Sequence, residues 1–242
     1  MQTIFITGTD TNVGKTYVAC RLLEQWRAEG LRVAALKPVA SGAIHINGRL
    51  CNDDAMQLQQ AAGAWQELAA INPFCFEPAI APHLAAAEAG ALLTVASVQY
   101  ALLPTLQRTD IDRVLIEGAG GWLVPLNETE TFGDLAGAVA DGVVLVVALR
   151  LGCINHALLT VAAIRQSGLP LLGWVANEVE PMVCAEQNIA TLIARIDAPC
   201  LGKMAHAALT LTSNALIASQ SENQSTPYHP QPSSERRGAI RR

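Results

Sequence analysis

The 242-residue sequence has no surplus of basic charge, no long hydrophobic run and no cysteine pair at metal-binding spacing. Sixteen Lys and Arg stand against 21 Asp and Glu, a formal net charge of −5 with an isoelectric point near 5.5. No global positive field exists to hold nucleic acid, so any affinity for phosphate must be local. The strongest apolar run, Val143 to Leu149, is far shorter than the ~20 residues a membrane helix needs, so no membrane segment is expected. The chain enters a strand pattern at once, without the basic and apolar regions of a signal peptide, and a cytoplasmic location is expected. Cys20, Cys51, Cys75, Cys153, Cys184 and Cys200 form no CxxC and read as reduced thiols. Neither a GxSxG elbow nor an HExxH motif occurs. His45, His83, His156, His206 and His229 lie too far apart in sequence for a metal-ligand set. His156, just inside a helix start, is expected to pack or to cap. No internal repeat is visible.

What is present is a chain that is 51% hydrophobic and only 15% charged, so much of its surface must be Ala, Ser, Thr and Gln. That balance describes a globular enzyme with a sizeable core. The chain is organised around Thr3 to Thr16, TIFITGTDTNVGKT. A strand-forming run reaches Gly8, a polar loop follows, and Gly14-Lys15-Thr16 opens an apolar helical pattern. Strand, phosphate loop and helix in this order present backbone N–H groups and a helix N-terminus to an anion. Lys15 suits the β- and γ-phosphates, and the Thr16 hydroxyl suits a magnesium ion. A standard loop would have glycine where Thr9 stands; with Gly8 instead, this loop is one residue longer.

Taken in order, Tyr17 to Glu29 carries Val18, Leu22, Leu23 and Trp26 at helical period, and Gly30 ends the helix. Arg32 to Leu36 reads as a second buried strand with Lys37 at its carboxyl end, the edge where open parallel sheets bind ligands. Residues 43–52 read as a loop with a turn at Gly48. Asn52-Asp53-Asp54 starts a helix over Ala55 to Ala62; one Asp is expected to cap it, and the pair invites a magnesium role. Asn72 to Pro82 reads as irregular, with helices from His83 to Glu88 and from Val95, capped by Thr94, to Leu106. The strand Arg113 to Ile116 ends in Glu117-Gly118-Ala119-Gly120-Gly121, placing a carboxylate where a magnesium ligand belongs and glycines where backbone can approach phosphate. A helix over Thr131 to Ala140, a central strand Gly142 to Leu149 and a helix from Cys153 to Gln166 follow. The strand Leu171 to Ala176 then ends in Asn177, whose carboxamide suits an adenine edge. A helix over Ala185 to Ile196 and a strand over Pro199 to Met204 close the pattern. Six strands alternating with helices predict an α/β fold, a three-layer, doubly wound, mainly parallel sheet of the P-loop nucleotide hydrolase type, in one domain over residues 1–218. From Ser219 the composition turns polar and proline-bearing, so residues 219–242 read as a disordered tail. Arg236, Arg237, Arg241 and Arg242 in it read as a solvated terminus before they read as a nucleic-acid arm.

GTDTNVGKT, KPVASG, the aspartate of NDDA, EGAGGW, LGCINHALLT and GWVANEVEP, in that order, resemble dethiobiotin synthetase over residues 2 to 202. The longer loop is that family's own form. The resemblance implies a cytoplasmic ligase of biotin biosynthesis that uses Mg2+ and ATP to close a cyclic urea on 7,8-diaminononanoate and CO2. It proceeds through a carbamate and a carbamic–phosphoric anhydride. It implies Lys15 and Lys37 as catalytic cations, and magnesium on Thr16, Asp54 (rather than Asp53) and Glu117. Nucleotide contacts would come from Asn12, Val13, Gly14, Lys15, Thr16, Tyr17, Asp54, Glu117, Gly118, Ala119, Gly120, Asn177 and Glu178. Thr11 and Ser41 would contact the diamine or its carbamate. In the family's homodimer, Gly152, Cys153, Ile154 and Asn155 of one subunit would receive the substrate carboxylate at the other's active site. Neither nucleic acid nor membrane is implied as a partner. The chain departs from the family pattern at Arg150, usually lysine, and at Gly202-Lys203-Met204-Ala205, where a proline is usual. Other readings are a P-loop switch ATPase of the partition type, which normally has a lysine early in the loop, a related amidoligase, and an inactive dimeric homologue.

Overall fold

The computed structural model describes residues 1–204. The expected domain limit at 218 and the tail with its four arginines lie outside the described residues. In chain order the elements are β1 (Gln2–Gly8), α1 (Lys15–Ala28), β2 (Val33–Leu36), β3 (Val39–Ala40), β4 (Ile44–Ile46) and β5 (Arg49–Cys51). Then come α2 (Asp53–Ala61), α3 (Leu68–Ile71), β6 (Phe74–Cys75), α4 (Pro82–Glu88), α5 (Val95–Leu106) and β7 (Arg113–Gly121). The last are α6 (Phe132–Val139), β8 (Gly142–Ala148), α7 (Cys153–Ser167), β9 (Leu171–Asn177), α8 (Ala185–Ile193) and β10 (Cys200–Met204).

The main sheet has the order β10-β9-β8-β1-β7-β2, every pairing parallel. β1 and β8 are buried on both faces, which is why their sequences run apolar instead of alternating. Ile4 and Ile6 point into the layer under α1 and α2, with Leu22, Leu23, Trp26 and Leu58. Phe5 points the other way, among the inward faces of α5 to α8, with Leu102, Leu135, Val161 and Leu192. The expected three-layer, doubly wound sheet is therefore present. The chain starts at β1, runs out to β2, then crosses back to β8 on the other side, so the crevice opens at the carboxyl ends of β1 and β7.

The six expected strands are the six of this sheet. β7, however, continues through Gly121, so Glu117 sits inside a strand, opposite Ile6 of β1, and not in a turn after it. Residues 43–52 are not a plain loop: β4 and β5 form a hairpin around Asn47 and Gly48, both with positive φ, the dihedral demand of a tight Asn-Gly turn. The segment read as irregular holds β6, paired with β3. α3 precedes it, and α8 stops at Ile193, one turn short of the expected Ile196.

Among the described helices, three starts carry a side-chain cap and five do not. Asn52, Thr94 and Thr131 cap α2, α5 and α6 with their own side chains. The cap of α2 is thus Asn52, neither aspartate, which leaves Asp53 and Asp54 free of that duty. α1 and α7 begin instead after a left-handed glycine, Gly14 (φ 85°) and Gly152 (φ 93°), with no side-chain cap and no acidic residue in the first turn. At α7 the Cys153 N–H is taken by Arg150 O (2.9 Å), and no side-chain cap serves the N–H groups that follow it.

Candidate active site

The phosphate loop is shaped by close approaches that exclude side chains. A Cβ on Gly8 would meet Val13 Cγ2 at 2.5 Å, and one on Gly14 would meet Asn177 Nδ2 at 2.1 Å. Thr9 N–H donates to Val146 O of β8 (3.0 Å), fastening the loop to the sheet. Asn177 Nδ2 donates to Val13 O (2.8 Å), bracing the loop from β9. Asn12 takes a positive φ of 58°. Lys15, buried at the first position of α1, donates from Nζ to Asp10 O at 2.9 Å. Burial, aided by the nearby Lys37 ammonium, brings the Lys15 pKa down to about 8.

Four elements converge beside the loop. Lys37 from the end of β2 donates from Nζ to Glu117 Oε1 on β7 (2.6 Å) and to Gly118 O (3.1 Å). The same ammonium lies 3.1 Å from Asp54 Oδ2 on α2. Thr16 Oγ1, at the start of α1, donates to Glu117 Oε1 at 2.9 Å. Burial opposes the charge on Lys37, but the Glu117 and Asp54 carboxylates outweigh it and hold its pKa above that of an ordinary lysine. At Asp54 burial pushes upward, and the Lys37 ammonium overrides it to leave the pKa lowered. Asp53 is exposed and accepts from Gln57 Nε2 (2.7 Å), so the structure selects Asp54 as the carboxylate facing the site.

Glu117 is fully buried, and its Oε2 has no hydrogen-bond partner. A buried, unpartnered carboxylate oxygen is costly unless a cation or donor serves it. Thr16, Asp54 and Glu117 together offer hydroxyl and carboxylate oxygens, the hard donors magnesium takes. Among the described residues no group of three or more His, Cys, Asp or Glu could hold a metal. Two carboxylates and a hydroxyl are thus the groups here that would fit a magnesium ion.

These groups line one cleft of about 940 Å³ that also takes in Thr11, Asn12, Gly14, Lys15, Tyr17, Ser41, Ala119 and Gly120. Gly118 lies just behind its wall, where a Cβ would press on Phe5 at 2.9 Å. Asn177 reaches the site through the loop. Glu178, next to it, is ion-paired with Lys203 (3.1 Å). Gly152, Cys153, Ile154 and Asn155 do not line this cleft; they sit at the uncapped start of α7, and Cys153 is buried. His156 neither packs nor caps: it is exposed, on the first turn of α7.

Two residues escape sequence reasoning. Buried Asn72 donates from Nδ2 to Lys37 O (2.7 Å), while Lys37 N–H donates to Ile71 O (2.8 Å), so the end of α3 fixes the lysine's backbone. An Asn before a proline is too common a loop signal to reveal this. Asn52 is the second: besides capping α2, it reaches Ser41 O from Nδ2 (3.4 Å).

A family model described as an AAA domain matches residues 2–218. The ATP-dependent dethiobiotin synthetase BioD of Pseudomonas aeruginosa is 50% identical over 205 residues, 84% of this chain and 90% of that one. Those of Cellvibrio japonicus (49%; 83% and 88% covered) and Aromatoleum aromaticum (45%; 84% and 90%) stand close by. The chain belongs to the dethiobiotin synthetase family. Among solved structures, signal recognition particle receptor FtsY from Elizabethkingia anophelis in complex with GDP aligns with a TM-score of 0.51 at 14% identity. That alignment covers 90% of this chain and 62% of the receptor, a likeness of fold alone.

Proposed function

We propose that the protein makes dethiobiotin from 7,8-diaminononanoate and CO2, using ATP and magnesium. As a dethiobiotin synthetase it is an ATP-dependent ligase of biotin biosynthesis. The observation that carries the finer reading is the meeting of two lysines, two carboxylates and a hydroxyl in one cleft beside an uncapped helix start. One amine takes up CO2 and loses a proton to give a carbamate. A carbamate oxygen then attacks the γ-phosphorus and ADP leaves; the second amine attacks the anhydride carbon, expels phosphate and closes the ring. This chain's contribution is alignment and charge neutralisation. The loop amides of Asn12 to Thr16 and Lys15 hold the β- and γ-phosphates. Lys37 stays charged and offsets the negative charge that gathers between carbamate and γ-phosphate. Thr16, Asp54 and Glu117 would hold a magnesium ion, which would supply charge neutralisation for the phosphates. Thr11 and Ser41 contact the diamine, Gly118 to Gly120 admit the phosphates closely, and Asn177 with Glu178 borders the adenine.

A homodimer belongs to the same reading. The open start of α7 is absent from its own subunit's cleft, and the neighbouring Leu151 (95% exposed) and Leu159 (62%) leave an apolar surface beside it. A second subunit would cover that surface and receive the substrate carboxylate on those N–H groups. A cytoplasmic location completes the proposal. A switch ATPase would give Lys37 and Ser41 nothing to do. The deciding experiment is ADP release with magnesium and bicarbonate, with and without the diamine, and product mass. Release that depends on the diamine and yields dethiobiotin supports the reading; release independent of it refutes the ligase assignment.

A further inference from the structure

Asp10 is the meeting point of three contacts, two with the site residues Lys15 and Thr11 and one with Arg150 before α7. Its main-chain oxygen accepts from Lys15 Nζ (2.9 Å), and its Oδ1 accepts the N–H of Thr11 (2.7 Å). Its Oδ2 accepts from Arg150 Nη2. Arg150 in turn belongs to the turn that opens α7, where its own carbonyl accepts the N–H of Cys153 (2.9 Å). A chain of contacts therefore runs from the Lys15 ammonium through Asp10 and Arg150 to the first N–H groups of α7, across 140 residues of sequence. Of the titratable groups near Asp10, His156 stands on the first turn of α7 and Lys15 on α1.

We propose that Asp10 and Arg150 are a positioning pair that fixes the phosphate loop, and with it Lys15, against the turn that opens α7. The side chains of Arg150 and Asp10 remain 36% and 50% exposed, and ion pairs so placed contribute little to folding. The pair's geometry, by contrast, is over-determined: one carboxylate fixes the first N–H after it, while the same residue's carbonyl fixes the loop lysine. Lysine at 150 could keep the charge, but not the planar fork that sets direction. The α7 half of the inference rests on the proposed carboxylate role of that helix start; the phosphate-loop half does not.

The test compares the full-length wild type with Arg150→Met, Asp10→Asn, the double variant and Arg150→Lys. Calorimetry reads binding of a non-hydrolysable ATP analogue with magnesium and, separately, of 7,8-diaminononanoate; thermal denaturation reads stability. Arg150→Met and Asp10→Asn are each expected to weaken both ligands about three- to tenfold at unchanged melting temperature. The double variant should be no worse than either single one, the signature of residues acting as one unit, and Arg150→Lys should recover part of the loss. Wild-type affinity for the analogue in Arg150→Met overturns the proposal. Loss confined to the diamine makes Arg150 a substrate contact and overturns it too, and a lower melting temperature in that variant assigns the pair to structure. If wild type binds the analogue but no diamine, the substrate assignment fails on its own while the analogue still tests the pair.

Discussion

Substituting Gly14 with Ala tests whether the phosphate loop is braced from β9. Gly14 holds φ 85° and ψ 30°, where a non-glycine residue costs about 1–2 kcal/mol. The added Cβ would also lie 2.1 Å from Asn177 Nδ2 and 3.3 Å from its Cγ. The carboxamide must therefore swing away and give up its bond to Val13 O. A broken buried hydrogen bond that strands its partner costs about 1–3 kcal/mol. The two effects sum to roughly 2–5 kcal/mol for Gly14→Ala in wild type. In an Asn177→Ala background the obstacle is gone, and only the backbone cost of about 1–2 kcal/mol remains. Urea denaturation of the four proteins gives the cycle directly, with a coupling of about 1–3 kcal/mol expected between the two sites. Additive effects within 0.3–0.5 kcal/mol, the usual scatter for independent sites, would refute the brace. The cycle also bears on how Asn177 can meet a base. With one N–H committed to the loop, Oδ1 and the second N–H remain for an adenine edge, so nucleotide affinity should fall in both single variants.

Lys37→Met leaves a wholly buried Glu117 facing Asp54 without its cation; removing one partner of such a set costs about 3–5 kcal/mol. Magnesium should restore part of that stability in the variant and add little to wild type, as read by thermal denaturation; an undiminished melting temperature without metal would contradict the pairing. Lys15 supplies a pH dependence of definite sign. Its folded pKa is about 8 against 10.5 for a free lysine. The unfolded chain thus binds more protons between those values, so ligand-free stability rises from pH 8 toward 10.5 and the penalty is complete below 8. Lys15→Met should flatten that slope in denaturation curves taken across the window, and an unchanged slope would place its cause elsewhere. Asn72→Ala should lower kcat about ten- to a hundredfold by loosening the Lys37 backbone, while affinity for the ATP analogue holds; equal loss of both would make Asn72 a general structural residue.

How much of this was legible follows from where each signal lives. The sheet was readable because a strand buried on both faces, such as Gly142–Ala148, must be apolar throughout, and turns with glycine separate such runs. The hairpin of β4 and β5 was not, because its exposed residues carry no core pattern, and Asn47-Gly48 alone had to announce it. The cap of α2 was misassigned to an aspartate for a chemical reason: Asn and Asp both cap helices well, and only the fold shows that the Asn52 side-chain oxygen meets Ala55 N–H. Lys37, Asp54 and Glu117 were each plausible singly, yet sequence cannot say that one ammonium serves both carboxylates. The brace of Asn177 on Val13 and the pairing of Arg150 with Asp10 span 164 and 140 residues and leave no local trace.

The helix ends supply the link between those distant parts. A helix start must satisfy its leading N–H groups, and Asn52, Thr94 and Thr131 do so at α2, α5 and α6 with their own oxygens. Such starts are closed to a ligand. Gly14 and Gly152 have no side chain to offer, and their positive φ turns the chain sharply into α1 and α7. Two anions, a triphosphate and a carboxylate, are what the proposed reaction must hold while uncharged amine and CO2 come together. In the proposed reaction the two starts that open on a glycine would meet that need without adding buried positive side chains, whose desolvation opposes folding in the way that burial lowers the pKa of Lys15. Because both starts are built on turns and not on rigid strands, something must hold the turns in register, and Asp10 with Arg150 is the contact that joins them.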